Sequence, residues 1–131
     1  MLLLVTGATG KVGTNLISHL LSEPRWKGAR IRALCHNRLF PETDRVQVVK
    51  GDISNRESVE RAMEGVTHVV HLATCKETPE IVMDVTVKGM FWLLESFRHS
   101  KMAQQFILIG GDASVGHFFY RHDGPITEKT P

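Results

Sequence analysis

The feature that most constrains the fold of this chain is a glycine-rich turn near its N-terminus. Four apolar residues, Leu2 to Val5, are followed by Gly7, Gly10 and Gly13 with the spacing GxxGxxG. The apolar run predicts a short buried strand. Beyond it, apolar residues recur at helical spacing and predict an amphipathic helix. The members of this stripe are Val12, Leu16, Ile17, Leu20 and Leu21. A strand, a tight turn and a helix in this order predict one β–α unit of an α/β fold.

The same turn predicts an anion-binding site. A helix that begins directly after such a turn presents free backbone N–H groups and the positive end of its dipole. A pyrophosphate can approach a backbone that carries no side chain. The spacing is one residue longer in its first interval than the dinucleotide fingerprint GxGxxG. We therefore expect the turn to bind the phosphates of a dinucleotide, and the alternative is a plain β-to-α turn without a ligand.

The segment Thr6-Gly7-Ala8-Thr9-Gly10-Lys11-Val12-Gly13 resembles the cofactor loop of the short-chain dehydrogenase/reductase superfamily. It is most similar to the extended branch, which contains nucleotide-sugar epimerases, dehydratases and related reductases. The resemblance implies a Rossmann-type domain that binds NAD or NADP. It also implies that the loop itself contacts the cofactor. The implied contact residues are Gly7, Thr9, Gly10, Lys11, Val12 and Gly13.

The end of the second predicted strand, residues 29–35, bears on the choice of cofactor. In dinucleotide folds, an Asp or Glu about 20 residues beyond the glycines accepts hydrogen bonds from the ribose 2′-hydroxyl of NAD. Here the strand is followed by His36, Asn37 and Arg38, with no carboxylate. Because a guanidinium binds phosphate in a bidentate manner, Arg38 is a candidate ligand for the 2′-phosphate of NADP. His36 and Arg32 are weaker candidates. A solvated Arg38 is the equal alternative, so NADP is only slightly favoured over NAD.

The third predicted strand, residues 46–49, leads to a candidate adenine contact. It runs into Gly51-Asp52-Ile53, which resembles the family's Gly-Asp-hydrophobic segment beside the adenine. The resemblance implies that the Asp52 carboxylate accepts from the adenine amine and that the backbone of Ile53 contacts the ring. The alternative is an Asp that only turns the chain.

The fourth predicted strand, residues 66–74, is apolar enough to be buried on both faces. Its end, His71-Leu72-Ala73-Thr74, resembles the family's turn beside the cofactor ribose, and it adds Leu72, Ala73 and Thr74 to the implied site. His68 and His71 stand three residues apart on a strand and point to opposite faces. Since no histidine cluster has metal-ligand spacing, we expect no metal site.

Two sequence signals predict the starts of further helices. Ser54-Asn55-Arg56-Glu57 is a capping-box pattern, and Thr78-Pro79 is an N-cap followed by a first-turn proline. Within the second of these helices, residues 86–95 resemble the extended-branch signature Asn-Val-x-Gly-Thr-x-Asn-Leu-Leu-Glu. Three polar positions differ, at Thr86, Met90 and Trp92. Met90 and Trp92 are expected to pack in the core or, alternatively, to face a partner helix.

The candidate catalytic residues follow the fifth predicted strand, residues 105–109. Residues 110–117 resemble the family's Ser-Ser-x-Ala-x-Val-Tyr-Gly segment, which aligns Asp112 with the active-site Ser/Thr and places Ser114 two residues later. The family's Tyr-x-x-x-Lys pair is not completed, because Tyr120 is followed four residues later by Gly124. Without that pair there is no proton relay. We therefore expect the chain by itself to turn over no substrate.

These elements together predict an α/β, doubly wound Rossmann-type fold. About five parallel strands are expected in the order 3-2-1-4-5, with helices on both faces and right-handed crossovers. Residues 1–131 would form one NAD(P)-binding domain, either an incomplete portion of a longer enzyme or a stand-alone domain. The implied chemistry is NAD(P)-dependent oxidoreduction, epimerisation or dehydration of a small hydroxy or keto substrate such as a nucleotide sugar. The alternative is a non-catalytic NAD(P)-binding sensor or interaction domain.

The composition limits the classes of binding partner and the cellular compartment that we expect. A formal net charge of +2, without a dominant basic face, argues against nucleic acid. No apolar run approaches the ~18 residues that a membrane helix needs. Cys35 and Cys75 form no CxxC pair, and we expect buried thiols in a reducing, cytoplasmic compartment. The expected partners are the dinucleotide, a small-molecule substrate and, as a candidate, a second copy of the chain in a homodimer.

Overall fold

The structure is a computed structural model that describes residues 1–75, 78–111, 121 and 124–128. One parallel sheet has the order β3-β2-β1-β4-β5. Its strands are β1 (Leu2–Thr6), β2 (Arg30–Cys35), β3 (Val46–Lys50), β4 (His68–His71) and β5 (Gln105–Leu108). The helices are α1 (Lys11–Ser22), α2 (Arg56–Met63), α3 (Pro79–Val82) and α4 (Gly89–His99). The predicted doubly wound fold and its strand order are confirmed.

Two hydrophobic cores lie on opposite faces of the sheet because successive side chains of a strand alternate in direction. In β1, Leu3 and Val5 pack in one core with Ile17 and Leu20 of α1. Leu4 packs in the other core, together with residues of α2 and α4. Both faces of β1 are therefore covered, as expected of a central parallel strand.

The third predicted helix contains a local change of winding. A π-helical segment, Met83–Lys88, connects α3 to α4, and α4 ends at His99. Trp92 packs against the core that contains Leu4. Of the two predicted uses of this side chain, core packing is the one observed. Phe91 beside it is 52% exposed.

Helix α2 begins one residue later than the capping box predicts. Its N-cap is Asn55, whose Oδ1 accepts the Ser58 N–H at 2.8 Å. The Ser54 N–H is instead bound by Asp52 Oδ1 at 2.8 Å, which holds Ser54 in the preceding turn. Asn caps helices as well as Ser does, so the shift leaves the helix start well satisfied.

Strand β4 is shorter than predicted, and threonine side chains add to the backbone pairing at both of its ends. Thr67 Oγ1 accepts from the Leu2 N–H and donates to the Leu2 carbonyl, each at 3.0 Å. At the other end, Thr6 Oγ1 accepts from the N–H groups of Leu72 and Ala73, each at 3.2 Å. The Thr67 N–H also donates to the Leu2 carbonyl at 2.9 Å, and the Leu72 N–H donates to the Thr6 carbonyl at 3.3 Å. The backbone groups at both ends of β4 are therefore satisfied.

The two cysteines differ in burial. Cys35 is buried in the core, where burial raises the pKa of its thiol, and a hydrogen bond from the Phe40 backbone opposes this in part. Cys75 is only half-buried, and both thiols are free. Among the described helices, none is long and apolar enough to cross a membrane.

Candidate dinucleotide-binding site

The carboxyl ends of β1 to β4 surround a cleft of about 330 Å³, called here the carboxyl-end cleft. Most of the predicted cofactor residues line it. These are Gly7, Thr9, His36, Arg38, Asp52, Ile53, Ala73 and Thr74. The predicted residues Gly10, Lys11, Val12, Gly13 and Leu72 do not line it, and they belong to the adjoining turn and first helical turn or to the end of β4. The residues that sequence reasoning did not assign to the cleft are Thr6, Leu34, Asn37, Gly51 and Val85.

Two larger concavities lie elsewhere. One of about 620 Å³ is between α2 and α4, and one of about 860 Å³ is beside the amino ends of the central strands. Of the predicted cofactor residues, the weaker candidate Arg32 alone lines one of them, the concavity of about 860 Å³. In parallel sheets, ligands bind beyond the carboxyl ends of the strands, at the point where the strand order reverses. Position in the fold therefore favours the smaller, carboxyl-end cleft.

Gly7 brings the turn after β1 into close contact with the backbone that follows β4. Its φ is +68°, a conformation that side chains disfavour. A Cβ at this position would lie 2.7 Å from the Leu72 carbonyl carbon and 2.8 Å from the Ala73 nitrogen. The turn after β1 is thus pressed against the end of β4, which is the point of strand-order reversal.

Gly13 and Gly10 differ in how much space a side chain would have. A Cβ at Gly13 would lie 2.4 Å from the Gly7 carbonyl oxygen, so α1 can seat on the turn only without it. At Gly10, the N-cap of α1, the nearest atom would be the Gly7 oxygen at 3.2 Å. This distance is short, but a small shift of the Gly7 carbonyl would relieve the contact. The fold alone therefore requires Gly13 more strictly than Gly10.

The first turn of α1 is open. Val12 is 62% exposed, so its predicted place in the buried stripe of the helix is wrong, whereas Ile17 and Leu20 of that stripe are buried. No acidic residue lies in this first turn, and no side chain caps it among the described residues. Its N–H groups and dipole are therefore available to an anion.

A buried hydroxyl joins β1 to β4 below the cleft. Thr6 Oγ1 lies 2.7 Å from His71 Nδ1, and it already accepts from the N–H groups of Leu72 and Ala73. Because a hydroxyl accepts at two lone pairs, its proton is directed to Nδ1, which therefore carries none. Burial also lowers the pKa of His71. Both observations indicate a neutral imidazole.

Asp52 presents one carboxylate oxygen to the cleft. Its Oδ1 accepts from the Ser54 N–H, and its Oδ2 lies 3.6 Å from His36 Nε2. Burial raises the pKa of the Asp52 carboxyl, but hydrogen bonds from Ser54 and the charges of His36 and Lys88 lower it further, so the net pKa is below its usual value. Asp52 is therefore ionised at neutral pH.

The three basic residues considered as ligands of a 2′-phosphate differ in their positions. Arg38 and His36 are exposed and line the carboxyl-end cleft. Arg32 donates instead to the Gln47 side chain and to the carbonyls of Ala62 and Glu64. Its guanidinium thus stabilises the carboxyl end of α2, and its weaker candidacy as a phosphate ligand is not supported.

The predicted catalytic residues Asp112 and Ser114, and Tyr120 with them, lie outside the described residues. Within residues 1–75, 78–111, 121 and 124–128, no group of three or more His, Cys, Asp or Glu side chains could hold a metal ion.

Comparison with known proteins places the chain in a family. A model of the NAD dependent epimerase/dehydratase family matches residues 3–131. The chain belongs to this family. The extended-branch resemblance of the glycine-rich turn is thereby confirmed.

Individual relatives show how far the likeness extends. Sterol demethylase protein B of Methylococcus capsulatus is 32% identical over 107 residues, covering 76% of this chain and 31% of the relative. A UDP-glucose 4-epimerase structure from Thermus thermophilus, a complex with NAD, is 27% identical with a TM-score of 0.67, covering 80% of this chain and 36% of that one. A dTDP-glucose 4,6-dehydratase structure from Bacillus anthracis, also with NAD, is 23% identical with a TM-score of 0.80, covering 100% and 43%. The chain spans less than half the length of each.

Replacing the buried Thr6 hydroxyl should destabilise the fold. Thr6→Val keeps the shape but leaves the Ala73 N–H and His71 Nδ1 without their partner, which costs about 1–3 kcal/mol. Thr6→Ser is the matched control, since it keeps the hydroxyl and loses one buried methyl group, worth about 0.8 kcal/mol. Urea denaturation measures both. A Thr6→Val protein as stable as the wild type would contradict the assigned network.

The lowered pKa of His71 predicts a loss of stability in mild acid. Above the ordinary histidine pKa of about 6.5, neither folded nor unfolded His71 binds the proton. As the pH falls below it, the unfolded state takes up the proton first, and stability is lost until the lowered folded pKa is passed. The slope is at most about 1.4 kcal/mol per pH unit. His71→Asn should show a flatter pH profile of unfolding free energy between pH 7.5 and 5.5, and identical profiles would refute the assignment.

Proposed function

We propose that residues 1–131 are the NAD(P)-binding domain of an oxidoreductase, epimerase or dehydratase that acts on a small hydroxy or keto substrate, with nucleotide sugars as the candidate class. The observation that carries this proposal is the open first turn of α1 above Gly10, beside a cleft at the strand-order reversal. An unhindered helix N-terminus at this place in the fold suits a pyrophosphate.

The residues of the cleft fit the remaining parts of a dinucleotide. Asp52 Oδ2 would accept from the adenine amine, and Ile53 would lie against the ring. Ala73 and Thr74, beyond β4, would border the ribose on the nicotinamide side. The bound nicotinamide would supply the hydride acceptor or donor. The epimerase structure in complex with NAD, 27% identical to this chain, supports the choice of cofactor class.

The chemistry on the substrate is proposed for a longer enzyme of which this chain is a portion. Ser114 is the better candidate to hydrogen-bond a substrate carbonyl, because an ionised Asp112 cannot donate a proton. The Tyr-x-x-x-Lys pair is missing from these 131 residues. The sensor alternative rests on Asp112, which lies outside the described residues, and no observation in the described chain favours it.

A homodimer and a cytoplasmic location remain parts of the proposal. An exposed apolar stripe along α3 to α4 offers a surface for a second copy. Its members are Ile81, Met83, Val87, Phe91 and Leu94. The two free cysteines suit a reducing compartment.

A side chain at Gly10 should block cofactor binding without unfolding the protein. Gly10→Val would place methyl groups over the first turn of α1, where the pyrophosphate is proposed to lie. Gly28→Val is the control, because a Cβ at exposed Gly28 meets nothing within 4 Å. Calorimetric titration with NADH should show binding to the control and none to Gly10→Val. Circular dichroism checks that both remain folded.

Gly10→Ala provides a milder second variant in case valine disturbs the N-cap. It should weaken NADH binding while leaving the urea midpoint close to that of the wild type. Full affinity in both Gly10 variants would move the phosphate site elsewhere and overturn the proposal.

The exposed Arg38 should select for NADPH. Removing a charge-assisted hydrogen bond costs about 1.5–3 kcal/mol, so Arg38→Ala should lower NADPH affinity roughly 10–100-fold and leave NADH affinity nearly unchanged. Arg30→Ala is the matched control, since Arg30 is equally exposed but begins β2, at the opposite end of the strand. Equal losses for both cofactors would reduce Arg38 to a surface residue.

A further inference from the structure

A contact between a histidine and a carboxylate connects the ends of β2 and β3 at the carboxyl-end cleft. His36 Nε2 lies 3.6 Å from Asp52 Oδ2, and the two side chains are 62% and 38% exposed. Asp52 Oδ1 is already engaged by the Ser54 N–H, so Oδ2 is the oxygen left for a ligand or for His36. The imidazole thus faces the one Asp52 oxygen that the Ser54 N–H does not engage.

The charge of the cleft depends on this one imidazole. Among the described residues that line it, the ionisable groups are His36, Arg38 and Asp52. Arg38 is permanently charged, and Asp52 stays ionised because its pKa is lowered. The local charge is therefore zero when His36 is neutral and +1 when it is protonated. Histidine side chains change charge between about pH 5 and 8.

Neighbouring groups from other elements do not alter this conclusion. Lys88 of the π-helical segment donates from its Nζ to Asp84 Oδ1 at 3.0 Å. The Cys35 thiol, one residue before His36, is buried in the core, where its raised pKa keeps it neutral. His36 is therefore the one histidine among the described residues that line the cleft.

A phosphate on the ribose 2′-oxygen would add nearly two negative charges to this end of the cleft. The ionised Asp52 repels them, and Arg38 alone only balances that carboxylate. A protonated His36 would neutralise Asp52 across the 3.6 Å contact and leave the full charge of Arg38 for the phosphate. The imidazolium also carries an N–H on both ring nitrogens, so it can donate a hydrogen bond to the phosphate. The neutral imidazole has only one N–H, which need not face the phosphate.

We propose that His36 is a specificity-determining residue that favours NADPH over NADH only as the imidazolium, so that NADPH binding takes up a proton that NADH binding does not. This inference rests on the proposed dinucleotide site. By linkage, the ratio of NADPH to NADH affinity then rises as the pH falls, by at most about tenfold per pH unit.

The test is calorimetric titration of the 131-residue chain with NADPH and with NADH at pH 7, in buffers of different ionisation enthalpy. The dependence of the measured heat on the buffer gives the number of protons bound. The wild type should take up a fraction of one proton with NADPH and less with NADH. Protonation of the phosphate itself has the opposite sign, since cations around the bound phosphate favour proton release.

Three variants isolate the role of His36. His36→Gln should reduce the proton uptake with NADPH to the level of NADH and make the affinity ratio independent of pH. His19→Gln, an exposed histidine of α1 outside the cleft, should behave as the wild type. Asp52→Asn should raise the NADPH to NADH ratio at pH 8, because the repelling charge is gone.

The outcomes separate the two proposals. If neither cofactor binds, the proposed dinucleotide site itself fails. If both bind but proton uptake is equal for NADPH and NADH, or persists in His36→Gln, the site stands and the role assigned to His36 is overturned. Proton uptake that disappears in His36→Gln and remains in His19→Gln supports the inference.

Discussion

The fold depends on the close approach between the turn after β1 and the backbone that follows β4. Only a residue without Cβ fits at Gly7, where φ is +68° and the Leu72 carbonyl carbon would lie 2.7 Å from a side chain. The Thr6 hydroxyl also holds β1 to this backbone, because it accepts from the N–H groups of Leu72 and Ala73. The Gly7 carbonyl in turn leaves no room for a side chain at Gly13, so α1 seats directly on the turn. The position of α1 and the closeness of the turn to the end of β4 both depend on these glycines.

The strand ends divide their polar side chains between two tasks. Thr6 and His71 are buried and bind each other and the backbone, so they hold β1 and β4 together. His36, Arg38 and Asp52 follow β2 and β3 and line the cleft. The division follows from position, because Thr6 and His71 lie within paired strands, whereas His36, Arg38 and Asp52 lie in the loops beyond the strand ends. Buried polar side chains therefore join the central strands, and charged side chains border the cleft.

Local patterns predicted the sheet well because each strand alternates or is continuously apolar, and the glycine turn fixes where the first helix begins. What they missed depends on contacts between distant segments. Asp52 holds Ser54 and shifts the cap of α2 to Asn55. Threonine side chains add hydrogen bonds between β1 and the segments at both ends of β4. The long side chain of Arg32 could have reached either end of β2, and only the packed structure shows it bound to the carboxyl end of α2. Val85 enters the cleft from a π-helical segment that no local pattern announces.

The position of the Asp52 carboxylate changes the prediction of cofactor choice that is based on the residues after β2. A rule that examines only the end of β2 finds no acid in His36-Asn37-Arg38 and predicts NADP. The folded chain brings an ionised carboxylate to the same cleft from the end of β3, within 3.6 Å of His36. Charges act through space rather than along the sequence, so this carboxylate opposes a 2′-phosphate as effectively as one on β2 at the same distance. Because the pair is partly exposed, added salt weakens both its attraction and its repulsion. We therefore expect the cofactor preference of this domain to depend on the two strand ends together.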